Sequence, residues 1–156
     1  EHLCMLYSGK YGMDVSIARG FTFIGPYLPL DIHYAIGNFL RDGINGGPII
    51  VKGNGTPIRS YLYAADLAIW LWTIFFRGKS CRPYNVGSNQ VISIIDLAQL
   101  VSVIFNCDFE IQGVQKVTRA QNPEQYIPSV DRAKEELGLD IYVNLEDAID
   151  RTIANF

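Results

Sequence analysis

The chain has 156 residues, 49% hydrophobic and 19% charged, enough to build one domain around a real apolar core. Its net charge is −3, from 13 basic and 16 acidic residues, and the basic residues form no run of the kind that grips a nucleic-acid backbone or an anionic membrane. Three scattered cysteines, Cys4, Cys81 and Cys107, give no support to a disulfide framework or a Cys/His zinc site. The most apolar stretch, Leu67 to Phe76, falls far short of the roughly 20 residues a membrane span requires, so a cytoplasmic chain is expected.

In chain order, Leu3, Leu6 and Tyr7 have helical spacing without an N-cap before them, as if the chain began inside a helix, and Gly12 closes it. Val15 to Ala18 reads as a strand apolar on both faces, the kind found inside parallel sheets. After a loop stiffened by Pro26 and Pro29, Asp31 is expected to cap a helix. The apolar stripe of that helix runs Ile32, Ala35, Ile36, Phe39, Leu40, Gly43 and Ile44, with Asn38 on the opposite side. "IIVK" is the next strand. Ile58 to Tyr63 alternates, with Arg59, Tyr61 and Tyr63 on one face and Ile58, Ser60 and Leu62 on the other.

Asp66 then caps a helix expected to be buried on nearly every side, Trp70 and Trp72 included, and Gly78 ends it. "PYNVG" is a short strand, and "SIID" has the form of a capping box, opening a helix that reaches Asn106. "DFEIQG", "QKVTRA" and "IPSV" read as weaker strands, and Asp131 caps a brief helix ended by Gly138. The last helix starts at Asn144 and gathers Leu145, Ala148, Ile149, Thr152, Ile153 and Phe156 on one face. The order is mixed α/β, with too few strands for a complete doubly wound sheet.

The chemistry centres on "GNGTPIR", residues 53–59. No Lys-Ser or Lys-Thr follows its glycines, and it lacks the G-x-G-x-x-G passage from strand to helix, so it is neither a Walker loop nor a dinucleotide fingerprint. It reads as a turn in which Gly53, Asn54 and Gly55 take up positive φ. Arg59, just beyond, carries the planar fork of donors that suits a diphosphate. The pattern equally allows a surface arginine lying along tyrosine rings. His2 and His33 have no acid or thiol at ligand spacing, and Glu135–Glu136 reads as a solvated helix face.

Four blocks then combine: "IARGFTFIGP", "NFLRDGINGGPIIVKGNGTPIRSYLYAADLA", "YNVGS" with "SIIDLAQLV", and "TRAQNPEQYIPSVDRAKEELGL". In this order, over nearly the whole chain, they resemble the later part of extended short-chain dehydrogenases/reductases, the NAD-dependent nucleotide-sugar epimerases and dehydratases. The resemblance implies an α/β, Rossmann-like subunit of which residues 1–156 form a single substrate-binding fragment. The glycine fingerprint, catalytic Ser/Thr and Tyr-x-x-x-Lys pair of the family would lie ahead of Glu1, and NAD would be bound mainly by that preceding domain.

By the same resemblance, Arg59 matches the arginine on the nucleotide diphosphate, and Arg119 a second arginine on the diphosphate or ribose. Asn38 and Phe39 fall where phosphate and base are contacted, Asn85 lies near the nucleotide, and Gly25 and Pro26 shape the loop beside the nicotinamide. Thr22 replaces the usual Asn, Lys52 an aromatic residue, and Asn122 the Asp of R-x-x-D, where it keeps an acceptor without the charge. The partner implied is a nucleotide-diphosphate sugar, with a homodimer expected for the whole enzyme. Within the family a dTDP-glucose 4,6-dehydratase-like activity is expected. The alternatives are a UDP-sugar 4-epimerase, a UDP-glucuronate decarboxylase or a non-catalytic nucleotide-binding or interaction module.

Overall fold

The computed structural model describes residues 1–32, 34–113 and 123–156. His33, Arg119, Asn122 and the expected strand "QKVTRA" lie outside them. Helix α1 (His2–Tyr11) stops at Gly12, whose φ of 65° lets its N–H return to the Ser8 carbonyl at 2.8 Å. None of its side chains is buried, and Leu3 and Leu6 stand in solvent. Glu1 ahead of it accepts two hydrogen bonds from the Arg19 guanidinium, each 2.7 Å.

Strand β1 (Ile17–Gly20) begins two residues later than the apolar run suggests, and only Ile17 of it is buried. Its limits are set by its parallel partner β6 (Pro83–Val86), paired from Ile17↔Pro83 to Gly20↔Val86. Val15 and Ser16 before it lie outside that ladder, the Val15 N–H donating instead to the Ser80 hydroxyl at 3.1 Å and its carbonyl accepting from the Cys81 N–H at 2.8 Å. Strand β2 (Phe23–Ile24) leads through the Gly25–Leu28 turn to α2 (Ala35–Ile44), which buries Ile36, Phe39, Leu40 and Gly43. Asp31 is not its cap. Tyr34 is extended, with φ −110° and ψ 127°, so the helix cannot start before Ala35, and Asp31 lies exposed 4.0 Å from Arg41.

Strand β3 (Ile49–Val51) pairs in parallel with β8 (Phe109–Ile111). The alternating stretch expected as one strand is two: β4 (Ile58–Ser60) and β5 (Leu62–Tyr63), broken at Tyr61. β4 is the centre of a three-stranded sheet, antiparallel to β7 (Val91–Ser93) and parallel to β9 (Gln125–Tyr126), whereas β5 pairs in parallel with β2. The chain changes sheets at Tyr61, and period-2 alternation cannot show such a change. "IPSV" is not a strand; the pairing with β4 falls just before it, at Gln125 and Tyr126.

Helix α3 (Ala64–Arg77) is less buried than its composition suggests. Asp66, Trp70 and Ile74 are enclosed, but Trp72 and Phe76 are 62% and 74% exposed and stack on each other with ring centroids 5.6 Å apart. Asp66 is the third residue of the helix and not its cap. It is buried, and one carboxylate oxygen accepts the N–H groups of Tyr142 and Val143, both at 3.1 Å.

Helix α4 (Ile94–Phe105) carries the expected capping box. Ser93 accepts from the Asp96 N–H at 3.1 Å and donates to the Asp96 carboxylate at 2.5 Å. It ends at Asn106, left-handed with φ 50°. Gly43 of α2 faces Phe105 so closely that a Cβ there would come within 2.4 Å of the ring, which is what lets these two helices approach. Helix α5 (Asp131–Leu137) ends on Gly138 as expected, with Asp131 inside its first turn and Val130 at the cap. Helix α6 (Leu145–Ile153) is capped by Asn144, which accepts from the Asp147 N–H at 2.9 Å. Ala148, Ile149 and Thr152 face inward, while Phe156 lies beyond the helix and exposed.

Two cores result. One is built from α2, α4, α6 and β3, with Tyr61 and Tyr63 at its edge; the other joins α3, α5, β6 and Leu62. Among the described residues no helix is long and apolar enough to cross a membrane.

Candidate functional site

The turn before β4 is fixed by the start of α4. The Gly55 carbonyl accepts from the Ile95 N–H and the Pro57 carbonyl from the Ile94 N–H, each at 3.0 Å. Gly55 alone of the three expected residues has positive φ, at 73°. A Cβ there would meet Ile95 at 2.8 Å, so the site suits glycine on both counts. Asn54 stays out of the left-handed region because its side chain is committed locally, accepting from the Thr56 N–H at 3.1 Å and hydroxyl at 2.9 Å. The first N–H groups of α4 are thereby taken by protein carbonyls and by Ser93. The helix N-terminus beside the glycines is not an open phosphate cradle.

The anchored turn delivers Arg59 onto the wall of a cleft of about 620 Å³. Phe21, Thr22, Tyr34, Tyr61 and Tyr126 line it with apolar groups from β2, α2 and α4, and Arg59 is the charged side chain among the described lining residues. The volume lies in the range of small-molecule sites. Arg59 is partly buried, 23% exposed. Its Nη2 donates to Glu124 Oε1 at 2.6 Å, and its Nη1 to the carbonyls of Ile58 at 3.0 Å and Glu124 at 3.3 Å. Burial pushes the Tyr61 phenol up to about 12, opposed by the Arg59 charge, so it remains a neutral donor across the physiological range.

A second cleft of about 450 Å³ shares Ala35, Pro57 and Ile94 with the first, and is lined by Asn38, Phe39, Arg41, Lys52, Gly53 and Gly55 among others. Asn38 in the first turn of α2 and Lys52 just after β3 therefore lie next to the Arg59 cleft. With its amide oriented to satisfy both ends, Asn38 donates to the Leu30 and Ile32 carbonyls at 3.1 Å each and so holds the loop against the helix. Phe39 is 2% exposed and its ring belongs to the core.

The other sequence-predicted residues are not gathered there. Asn85 donates to the Ser129 carbonyl at 2.9 Å, tying β6 to the segment before α5. Gly25 is a packing glycine: a Cβ on it would fall 2.4 Å from the Ala64 Cβ at the start of α3. Pro26 follows in the same turn. Tyr63, expected beside Arg59, faces away after the break at Tyr61 and lies under the Arg151 guanidinium, 5.8 Å from its ring centre. Sequence reading missed Glu124, 65 residues from Arg59 and without a local signal, and Tyr126 and Phe21, whose rings meet at 5.1 Å beside the cleft. Among the described residues no group of three or more His, Cys, Asp or Glu is placed to hold a metal ion.

The chain and its fold resemble known proteins. The chain is 29% identical over 149 residues to UDP-glucuronic acid decarboxylase 5 of Arabidopsis thaliana, covering 96% of this chain and 43% of that protein. It is 28% identical over 156 residues to UDP-glucuronic acid decarboxylase 1 of Xenopus tropicalis, covering all of this chain and 36% of the relative. The chain thus spans less than half the length of these curated relatives. Its fold matches UDP-glucose 4-epimerase of Thermotoga maritima solved with UDP-glucose, with a TM-score of 0.85 at 20% identity over 99% of this chain and 49% of that one. It also matches dTDP-glucose 4,6-dehydratase of Bacillus anthracis in complex with NAD, with a TM-score of 0.82 at 16% identity over 99% and 48% of the two chains. The fold is therefore the mixed α/β, Rossmann-like one that the sequence blocks imply. Residues 1–87, more than half the chain, match the family itself: the chain belongs to the NAD dependent epimerase/dehydratase family.

Proposed function

We propose that residues 1–156 form the nucleotide-sugar-binding portion of an NAD-dependent sugar-nucleotide dehydratase or epimerase, within a longer polypeptide whose preceding part carries the dinucleotide-binding domain. The observation that carries this reading is Arg59, a partly buried guanidinium on the wall of an aromatic-lined cleft of about 620 Å³. A diphosphate accepts paired N–H bonds from such a fork. The neutral Tyr61 phenol beside it supplies a further donor, and Lys52 and Asn38 extend the polar lining into the adjoining cleft. By the resemblance, Arg119 and Asn122 are proposed to complete the nucleotide contacts, whereas Asn85 is held by the Ser129 carbonyl and the Phe39 ring lies in the core.

This chain's part in the reaction is binding energy applied far from the reacting carbon, which holds the sugar in position. The chemistry that bound NAD would supply is that of a hydride acceptor. The Gly25–Pro26 turn is the part of this chain proposed to face it, although the space beside Gly25 is filled by Ala64. The described residues form no dinucleotide cradle, so no step through the cofactor is assigned to them. The whole enzyme is proposed to be a cytoplasmic homodimer.

Within the family we favour a dTDP-glucose 4,6-dehydratase-like reaction, in which oxidation at sugar C4 precedes dehydration. A UDP-glucuronate decarboxylase is the second reading, favoured by the 29% identity to plant decarboxylases over 96% of the chain. A thermal-shift panel on the full-length protein separates them. dTDP-glucose is expected to raise Tm more than UDP-glucuronate, and the reverse order would select the decarboxylase. Stabilisation by neither, nor by any other nucleotide sugar, would leave a non-catalytic interaction module as the surviving reading.

A further inference from the structure

Arg59 is already engaged by an anion of the protein's own. Glu124 Oε1 accepts at 2.6 Å from the Nη2 of Arg59, which itself lines the cleft in which the proposed function puts a diphosphate. The two partners are unequally held. Arg59 is 23% exposed and braced by the Ile58 and Glu124 carbonyls, whereas the Glu124 side chain is 73% exposed.

The carboxylate is also not what holds its strand in place. The Glu124 carbonyl accepts the Ile58 N–H at 2.8 Å, and β9 pairs with β4 from Ile58↔Gln125 to Arg59↔Tyr126 through the main chain. The side chain is free to turn into water without unpairing β9. A carboxylate left beside an arriving diphosphate would be repelled by it, which favours that turn.

We propose that Glu124 is a built-in counter-ion for Arg59, occupying the anion position until a nucleoside diphosphate displaces it. This inference rests on the reading of the Arg59 cleft as the nucleotide-sugar site. The exchange runs in the ligand's favour. A mostly exposed ion pair contributes little, while a diphosphate offers two charged groups and bidentate acceptance to the same fork. The cost is a weaker ligand affinity than Arg59 alone would give, and the gain is a guanidinium held oriented and neutralised while the cleft is empty.

Calorimetric titration with UDP tests this on the full-length protein, its Glu124→Gln and Arg59→Ala variants and the double variant. Glu124→Gln keeps the shape and the backbone pairing but removes the charge, and is expected to tighten UDP by roughly two- to fivefold, the scale on which exposed ion pairs act. In the Arg59→Ala background the same change is expected to do nothing. UDP affinity unchanged or weaker in Glu124→Gln, with Arg59→Ala still weakening it, overturns the counter-ion and leaves the nucleotide-sugar reading standing. A gain from Glu124→Gln that persists without Arg59 also overturns it, since the carboxylate would then act through the general field. UDP affinity unaffected by Arg59→Ala removes the site reading itself. A melting temperature recorded for each variant identifies any that lost the fold, and for Glu124→Gln the variant Glu124→Ser then takes its place.

Discussion

Asp66 shows how a single residue can be read correctly in place and wrongly in role. Its position early in a helix after a strand makes it look like a cap, yet the helix has already begun at Ala64. Its carboxylate spends itself on two N–H groups 76 and 77 residues away, at Tyr142 and Val143. Those donors are invisible in the sequence because nothing local announces them. Removing the buried carboxylate takes away the acceptor of the Tyr142 and Val143 N–H groups and unties the segment that leads into α6. Asp66→Ala is therefore expected to cost about 2–3 kcal/mol, measured by urea unfolding, the scale of hydrogen bonds to a charged acceptor. A loss under about 0.5 kcal/mol, the level of an ordinary surface substitution, would mean that water takes over this bond. Arg59 is the opposite case: its fork, its place after a turn and its alternation with Tyr61 were all legible. Its partner Glu124 was not.

At the scale of elements, what is stored locally was legible and what depends on a distant partner was not. The Ser93–Asp96 capping box, the Asn144 cap and the left-handed Gly12 and Gly138 are short-range chemistry and stand where the sequence puts them. The strands moved, because a strand is defined by its neighbour: β1 follows β6, and the run from Ile58 divides where its partners change from β7 and β9 to β2. The apolar α3 shows that composition alone does not bury a helix; the described chain encloses one side of it, at Trp70 and Ile74.

Helix α5 adds a pair that reads as solvated glutamates and is only half so. Glu135 is exposed, but Glu136 is held at 2.8 Å by Arg82 and at 3.1 Å by the Tyr84 hydroxyl, docking α5 on β6. Hydrogen bonding from Arg82 outweighs desolvation and lowers its carboxyl from 4.5 to about 2. A pKa depressed in the folded state stabilises the fold above the unfolded value of 4.5, and that contribution is lost as the pH falls through about 2. Unfolding midpoints followed downward across this window are expected to fall less steeply for Glu136→Gln than for the unmodified chain. Equal slopes would show that the contact does not couple to folding.

For the whole molecule, four motif blocks in order carried the family, and the mixed α/β fold followed from it. The site is a different matter. The resemblance names a set of residues, and the fold brings Arg59, Thr22 and Tyr61 to one cleft and Asn38 and Lys52 to the next, while Asn85 and Gly25 serve packing nearby. Sequence position gives the order of such residues along a chain. The enclosure depends on where β4 and β9 meet and on the break at Tyr61, which only the assembled sheets specify. If this cleft binds a nucleoside diphosphate through Arg59, calorimetry of UDP and dTDP against the full-length protein and its Arg59→Ala variant shows it most directly. Measurable binding of at least one nucleotide is expected, weakened about 10- to 150-fold by Arg59→Ala, equivalent to roughly 1.5–3 kcal/mol for a charge-assisted hydrogen bond. Equal affinity in the two proteins, with both folded, would contradict it.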